Sequence, residues 1–220
     1  MGDLRDMGGK PLKICWVTVR KASDLCSTTT LSLANGLSDS GYNLTILNPD
    51  ETEHYDSYAW SQHKLHRSST KGFQASSIAK SAMKWFENHP KQEFDMILVD
   101  WQLARKLIPL FKKRGLPMIL MDRSPPADRS IFSKLQWREW KMAWKKVFSG
   151  EVKRGCVVSP AHKKFVTKHF PIPSDRIHVL PAGVDINLFK PNPKNNMERE
   201  IRMVYHGRLD KHRGVMALPM

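Results

Sequence analysis

Two arginines, Arg208 and Arg213, flank Lys211 in the loop Gly207-Arg-Leu-Asp-Lys-His-Arg-Gly214, directly behind a short apolar run from Ile201 to Tyr205. Strand, glycine-bounded loop and incipient helix in that order bring backbone amides and guanidinium groups together, a combination suited to holding phosphate. Arginine fits the task because its planar fork donates paired hydrogen bonds and stays protonated. Upstream lies Val179-Leu-Pro-Ala-Gly-Val-Asp-Ile-Asn-Leu-Phe-Lys-Pro191. It reads as the end of a strand (Ile177 to Leu180) stopped at Pro181, a turn at Gly183 with positive φ expected, and a polar step through Asp185 to Pro191.

A second set of polar residues falls at strand ends. Phe94 to Asp100 and Pro117 to Met121 read as buried strands, the first ending in Asp100 and the second running into Asp122-Arg123. Open parallel sheets bind ligands outside the carboxyl ends of their strands, so Asp100, Asp122 and Arg123 become candidates for a cleft. Arg123 there either holds an acidic ligand group or pairs with Asp122. Arg20 and Lys21 belong to a polar loop after the first strand and read equally as phosphate contacts or as solvated charges.

A third pattern occupies Ile131 to Phe148. Trp137, Trp140, Trp144 and Val147 recur at three- and four-residue spacing and mark one helical face, while Lys134, Arg138, Lys141, Lys145 and Lys146 fill much of the rest. A basic amphipathic helix with tryptophans is expected to lie in an anionic membrane surface, with Trp137, Trp140, Trp144, Lys141 and Lys145 in contact. The same stripe also suits a helix packing its aromatics onto a sheet.

Other chemistries lack their residues. No Gly-x-Gly-x-x-Gly follows the first strand, which disfavours a nicotinamide-type site. His54, His63 and His66 have no metalloprotease spacing, and Cys15, Cys26 and Cys156 have no zinc spacing, so no metal site is expected. No residue stands out as catalytic.

The elements that position these groups alternate. Leu12–Val19 is a strand, Thr28–Asp39 a helix stopped near Gly41, and Tyr42–Leu47 a second strand: a βαβ unit, hence parallel and right-handed. Asn48 to Thr70 is polar and reads as a variable loop with some strand. Helices follow at Gln74–Glu87, Gln102–Lys113 and Pro160–His169, with short strands at Cys156–Ser159 and Ile177–Leu180. Asn192 to Arg199 is a polar linker.

With 220 residues, a net charge of +15 and 40% hydrophobic content, the chain has room for a core and calls for an anionic partner. Nucleic acid has only the charge in its favour, since no zinc-finger, RNA-recognition or basic-zipper pattern occurs, and it is not expected as a partner. No run reaches the ~18–20 apolar residues of a spanning helix.

Taken together, Val179–Pro191 and Gly207–Gly214 resemble the family-4 (group 1) retaining glycosyltransferases of the GT-B fold. There, Pro-x-Gly-Val-Asp-x-x-x-Phe-x-Pro closes the acceptor domain and Gly-Arg-Leu-x-x-x-Lys-Gly opens the nucleotide-sugar domain. The resemblance implies an α/β fold, a Rossmann-like parallel sheet flanked by helices. It implies residues 1–191 as the acceptor-side domain, 192–200 as linker and 201–220 as the first strand and loop of a truncated nucleotide-sugar domain. Gly183 and Asp185 fall at the hinge. Gly207, Arg208 and Arg213 become the donor-phosphate site, with Arg20, Asp100, Asp122 and Arg123 in the acceptor cleft.

The implied reaction is sugar transfer with retention from a nucleotide-sugar, used as a substrate with no other cofactor, to a lipid-linked or glycan acceptor. Because no Asp-x-Asp motif occurs, protein cations rather than a metal would stabilise the leaving diphosphate. Three departures stand out. The family's Gly-Gly after the first strand is replaced by Arg-Lys-Ala-Ser, its Lys before Gly by Arg213, and its cleft histidine by Arg123. With most of the donor domain missing, the chain alone is expected to be inactive. The alternative is a non-enzymatic, basic, peripheral membrane-binding domain. Either way the expected location is cytoplasmic, at the cytoplasmic membrane face in the second case.

Overall fold

A computed structural model of the chain describes residues 10–21, 27–51, 58–70, 72–90, 93–126, 131–183 and 190. Contacts divide the chain into a unit of residues 1–184 and a unit of 185–220. Among the described residues the first holds seven strands: β1 (Lys13–Val17), β2 (Asn43–Asn48), β3 (Ser61–Lys64), β4 (Met96–Asp100), β5 (Met118–Asp122), β6 (Arg154–Val157) and β7 (Ile177–Val179). All neighbouring pairs are parallel, and the sheet order is β3-β2-β1-β4-β5-β6-β7.

Apolar runs such as Ile14-Cys-Trp-Val17 and Ile97-Leu-Val99 pair in the middle of the sheet, where both faces are covered. The helices are α1 (Ser27–Asp39), α2 (Gln74–Asn88), α3 (Trp101–Lys113), α4 (Ile131–Phe148) and α5 (Pro160–His169). Of the crossovers that carry these helices, β1–α1–β2 steps towards β3, and those with α2, α3, α4 and α5 step towards β7. Right-handed crossovers in opposite directions put their helices on opposite faces. The core divides accordingly. Cys15, Val17, Ile97, Val99 and Leu120 pack with Phe86, Leu107, Phe111, Trp140 and Trp144 on one face, whereas Ile14, Trp16, Leu44 and Ile46 pack with Ala34 of α1 on the other.

Element ends follow local chemistry. Ser159 caps α5 by accepting from the His162 amide at 3.1 Å, with Pro160 opening the helix. Gly115 adopts φ +68° just past α3, a left-handed conformation that glycine takes without a Cβ clash. Arg176, in a single 3-10 turn (Ser174–Arg176), donates to the carbonyls of Lys153 at 3.0 Å and Val152 at 3.1 Å and to that of Val147 at the end of α4. One side chain thereby ties the α4–β6 connection to β7.

The edge strand β3 falls inside the expected polar loop. Its sequence, Ser-Gln-His-Lys, has no apolar pattern, but Gln62 is buried and donates to Asn48 Oδ1 at 2.7 Å and to the Asp50 carbonyl at 3.0 Å. At the other end, Gly183 does not take the positive φ expected of it. Among the described residues, 181–183 form no turn after β7, so no left-handed residue is required there. Asp185 and the segment 191–220 lie outside the described residues.

Candidate active-site edge

The strand order reverses between β1 and β4. At such a switch point the two connections leave in opposite directions and a crevice opens between them. Asp100 ends β4 at that point and is buried. Its Oδ2 accepts from Thr18 Oγ1 at 2.6 Å and from the Val19 amide at 3.1 Å, and its Oδ1 accepts from Trp16 Nε1 at 3.2 Å. Burial pushes the Asp100 carboxyl above its ordinary value, while Thr18, Val19, Trp16 and the positive Arg20 pull the other way. Three donors from β1 and the residues after it make Asp100 a hub that fixes the loop after β1. Thr18 Oγ1 in turn accepts from the Arg20 amide at 3.2 Å, which sets the start of the segment carrying Arg20.

Asp122 ends β5 next door, and its carboxyl is also fully buried. Oδ2 accepts from Trp140 Nε1 at 2.6 Å and Trp144 Nε1 at 2.8 Å, and His162 Nε2 lies 3.2 Å away. This cluster joins β5 to α4 and α5. Among the described residues, neither Asp122 Oδ1 nor His162 Nδ1 has a hydrogen-bond partner.

Two sequence expectations change here. Asp122 does not line the cleft: its carboxyl faces inward and is enclosed by indoles and an imidazole. Trp140 and Trp144 do not lie in a membrane surface. Both are fully buried, because their N–H groups reach a carboxyl inside the fold and their rings pack in the core. Trp137 is partly buried against them, its ring centroid 5.4 Å from Trp140 and 6.0 Å from Phe165. Lys141 and Lys145 remain exposed on the outer side of α4, as do Lys134 and Arg138.

Arg20, Asp100 and Arg123 do come together. With Trp101, Gln102, Met121 and Ser124 they line a notch of about 10 Å³ at the carboxyl edge of β4 and β5. Arg20 has no ion pair among the described residues. Trp101 closes one wall and donates from Nε1 to the Ser124 carbonyl at 3.1 Å. As the residue before α3, Asp100 makes no side-chain hydrogen bond to that helix's first turn, since its oxygens are taken by β1. The expected donor-phosphate residues Gly207, Arg208 and Arg213 lie outside the described residues.

Sequence reasoning passed over Trp16, Thr18, Trp101, Gln102 and His162. A readable signal existed for the first of these. A tryptophan in the middle of a buried strand needs an acceptor for its N–H, and a strand-terminal aspartate is the nearest source.

The sequence profile of Glycosyltransferase Family 4 matches residues 26–188. The chain belongs to that family. The family's matched region therefore covers the elements from α1 through β7. No curated protein matches the chain in sequence. Among solved structures, a glycosyltransferase from Rickettsia africae aligns with a TM-score of 0.54 at 16% identity, covering 86% of this chain and 47% of the other. HepE of Anabaena, solved with UDP and glucose, aligns at 0.56 and 12% identity, covering 83% of this chain and 47% of the other. UGT89C1 of Arabidopsis thaliana, complexed with UDP-L-rhamnose, aligns at 0.57 and 14% identity, covering 83% and 54%. These identities establish likeness of fold, a Rossmann-like sheet of the GT-B kind. This chain spans about half the length of each of those structures.

Proposed function

We propose that this family-4 chain forms the acceptor side of a glycosyltransferase, which moves a sugar from a nucleotide-sugar to an acceptor with retained configuration. The observation that carries the reading is the family match across residues 26–188, which includes Asp100 on the β4 side of the switch point. In this reading the carboxyl edge holds the acceptor. The donor diphosphate is held by Gly207, Arg208 and Arg213, whose cations offset the charge of the departing diphosphate without a metal ion. No cofactor beyond the nucleotide-sugar is required. Asp185 and Gly183 sit in the hinge between the two sides.

The test is label transfer. The chain carried on a complete nucleotide-sugar domain is incubated with labelled UDP-sugars and lipid-linked or glycan acceptors. Donor-dependent label in the acceptor, with the donor's anomeric configuration, is the expected result. No nucleotide-sugar binding and no incorporation across the panel would sink the reading.

A second reading, contact with an anionic membrane, draws on the outer side of α4. Leu135 and Phe148 are 57% and 49% exposed there, beside the exposed Lys134, Arg138, Lys141 and Lys145. Apolar side chains among cations suit the headgroup layer, with the buried tryptophans taking no part. Among the described residues no helix is long and apolar enough to cross a membrane. Co-sedimentation with anionic vesicles checks this: Lys141→Glu with Lys145→Glu should abolish retention at low salt, and unchanged retention would remove the reading.

A further inference from the structure

The strand ends carry two carboxyls and two guanidiniums, and the packing commits the carboxyl oxygens to other donors. Asp100 gives both oxygens to Trp16, Thr18 and Val19, and Asp122 is enclosed by Trp140, Trp144 and His162. Each aspartate anchors the backbone from which an arginine emerges. Thr18 and Val19, held by Asp100, lead into Arg20, and Arg123 directly follows the anchored Asp122. Arg123, the first residue beyond β5, lines the same notch as Arg20.

We propose that this notch binds a phosphate group carried by the acceptor, a phosphate monoester or diester. The proposal rests on the reading of the carboxyl edge as the acceptor side. Four features support it. Two guanidiniums from different strand ends meet there, and arginine's fork matches the tetrahedral oxygens of a phosphate. The carboxyl in the wall, Asp100, has its oxygens committed to three donors, Trp16, Thr18 and Val19, which offset its charge. The space of about 10 Å³ admits a single oxygen atom and no sugar ring, which suits one phosphate oxygen seated inward with the remainder outside. The first turn of the thirteen-residue helix α3, beginning at Trp101, receives no cap from Asp100 and adds amide donors at the same edge. Asp100 and Asp122 act as positioning residues for the two cations.

Phosphate could also reach the notch as part of the nucleotide donor, and the experiment separates the two sources. Inorganic phosphate, glycerol phosphate and UDP are titrated calorimetrically at low, matched ionic strength, with acetate as the control. Phosphate and glycerol phosphate should compete for one site, acetate should bind at least tenfold more weakly, and UDP should not displace them. Arg20→Gln and Arg123→Gln should each weaken phosphate at least tenfold. Arg123→Lys, which keeps the charge and guards against a folding defect, should recover part of the loss. Arg105→Gln, on α3 and paired with Glu139 at 3.2 Å, should leave binding unchanged.

Wild-type affinity in both Gln variants would overturn the site, as would sensitivity confined to UDP. The transferase reading stands or falls separately. Transfer to phosphorylated acceptors that ignores Arg20→Gln and Arg123→Gln overturns the phosphate site alone, whereas phosphate binding without any sugar transfer overturns the transferase alone.

Discussion

Gly155 and Trp144 give the sharpest stability prediction. A Cβ added at Gly155 of β6 would stand 2.6 Å from both Cη2 and Cζ3 of the Trp144 ring and 3.6 Å from Cζ2. The first two separations are far inside van der Waals contact. The ring cannot retreat freely, because its Nε1 is tied to Asp122 Oδ2 at 2.8 Å and the residue is fully buried. Gly155→Ala should therefore cost ~1–3 kcal/mol, the range for overpacking a filled core. Trp144→Phe removes the N–H donated to Asp122 and the outer ring atoms, a loss of about 2–4 kcal/mol from the hydrogen bond and the remaining space. The double variant should cost less than the sum, because phenylalanine lacks the atoms that the alanine methyl would strike. The coupling should equal most of the Gly155→Ala cost, ~1–2 kcal/mol. Urea unfolding monitored by tryptophan fluorescence measures all three. Additive costs, or a Gly155→Ala change within ~0.5 kcal/mol of neutral, the range of ordinary surface changes, would refute the packing of α4 against β6.

Other consequences follow from named contacts. Arg176→Ala leaves the carbonyls of Val147, Val152 and Lys153 without their guanidinium donor and should lower stability by ~1–3 kcal/mol, with Arg176→Lys recovering little because one ammonium cannot span all three. Ser159→Ala removes the α5 cap and should cost ~1 kcal/mol by the same assay. Asp100 supplies a pH signature. Its folded-state pKa lies above the ordinary 3.8, so the folded state takes up a proton before the unfolded chain does, and stability from this group rises as pH falls through the folded value and levels off below 3.8. Relative to Asp100→Asn, the wild type should gain stability on acidification within that window; a pH-independent difference would contradict the assignment. Cys156, with its thiol pushed up to about 11 by burial, should alkylate slowly at pH 8 and faster as the pH rises.

Much of the fold is legible from apolar periodicity. Helix α4 runs from Ile131 to Phe148 and α5 from Pro160 to His169, as their stripe and proline signals indicate, and the buried strands β1, β4 and β5 fall within their apolar runs. Some strand is expected within Asn48–Thr70, but the position of β3 is not legible, because Ser-Gln-His-Lys shows no apolar alternation and its buried Gln62 is stabilised by hydrogen bonds that no pattern displays. The tryptophan stripe identifies a face without saying what covers it. Interfacial and core helices share the same spacing, and the deciding fact is the acceptor, Asp122, contributed by a strand eighteen residues upstream of Trp140. The two aspartates show the converse ambiguity. A carboxyl at a strand end suits a ligand site, yet three buried indole N–H groups (Trp16, Trp140 and Trp144) each need an acceptor, and those two aspartates supply it. The pairing of Arg20 with Arg123 depends on strand order, which places β1, β4 and β5 side by side across most of the first unit's length in sequence.

Hydrogen exchange of the chain with and without saturating glycerol phosphate tests most directly whether the ligand edge lies at the β1–β4 switch point. Amides at Val19 to Lys21, Gln102 to Leu103 and Arg123 to Ser124 should exchange more slowly with the ligand present, and less so in Arg123→Gln. Unchanged exchange in these segments, with protection confined to the outer side of α4, would contradict a cleft at this edge.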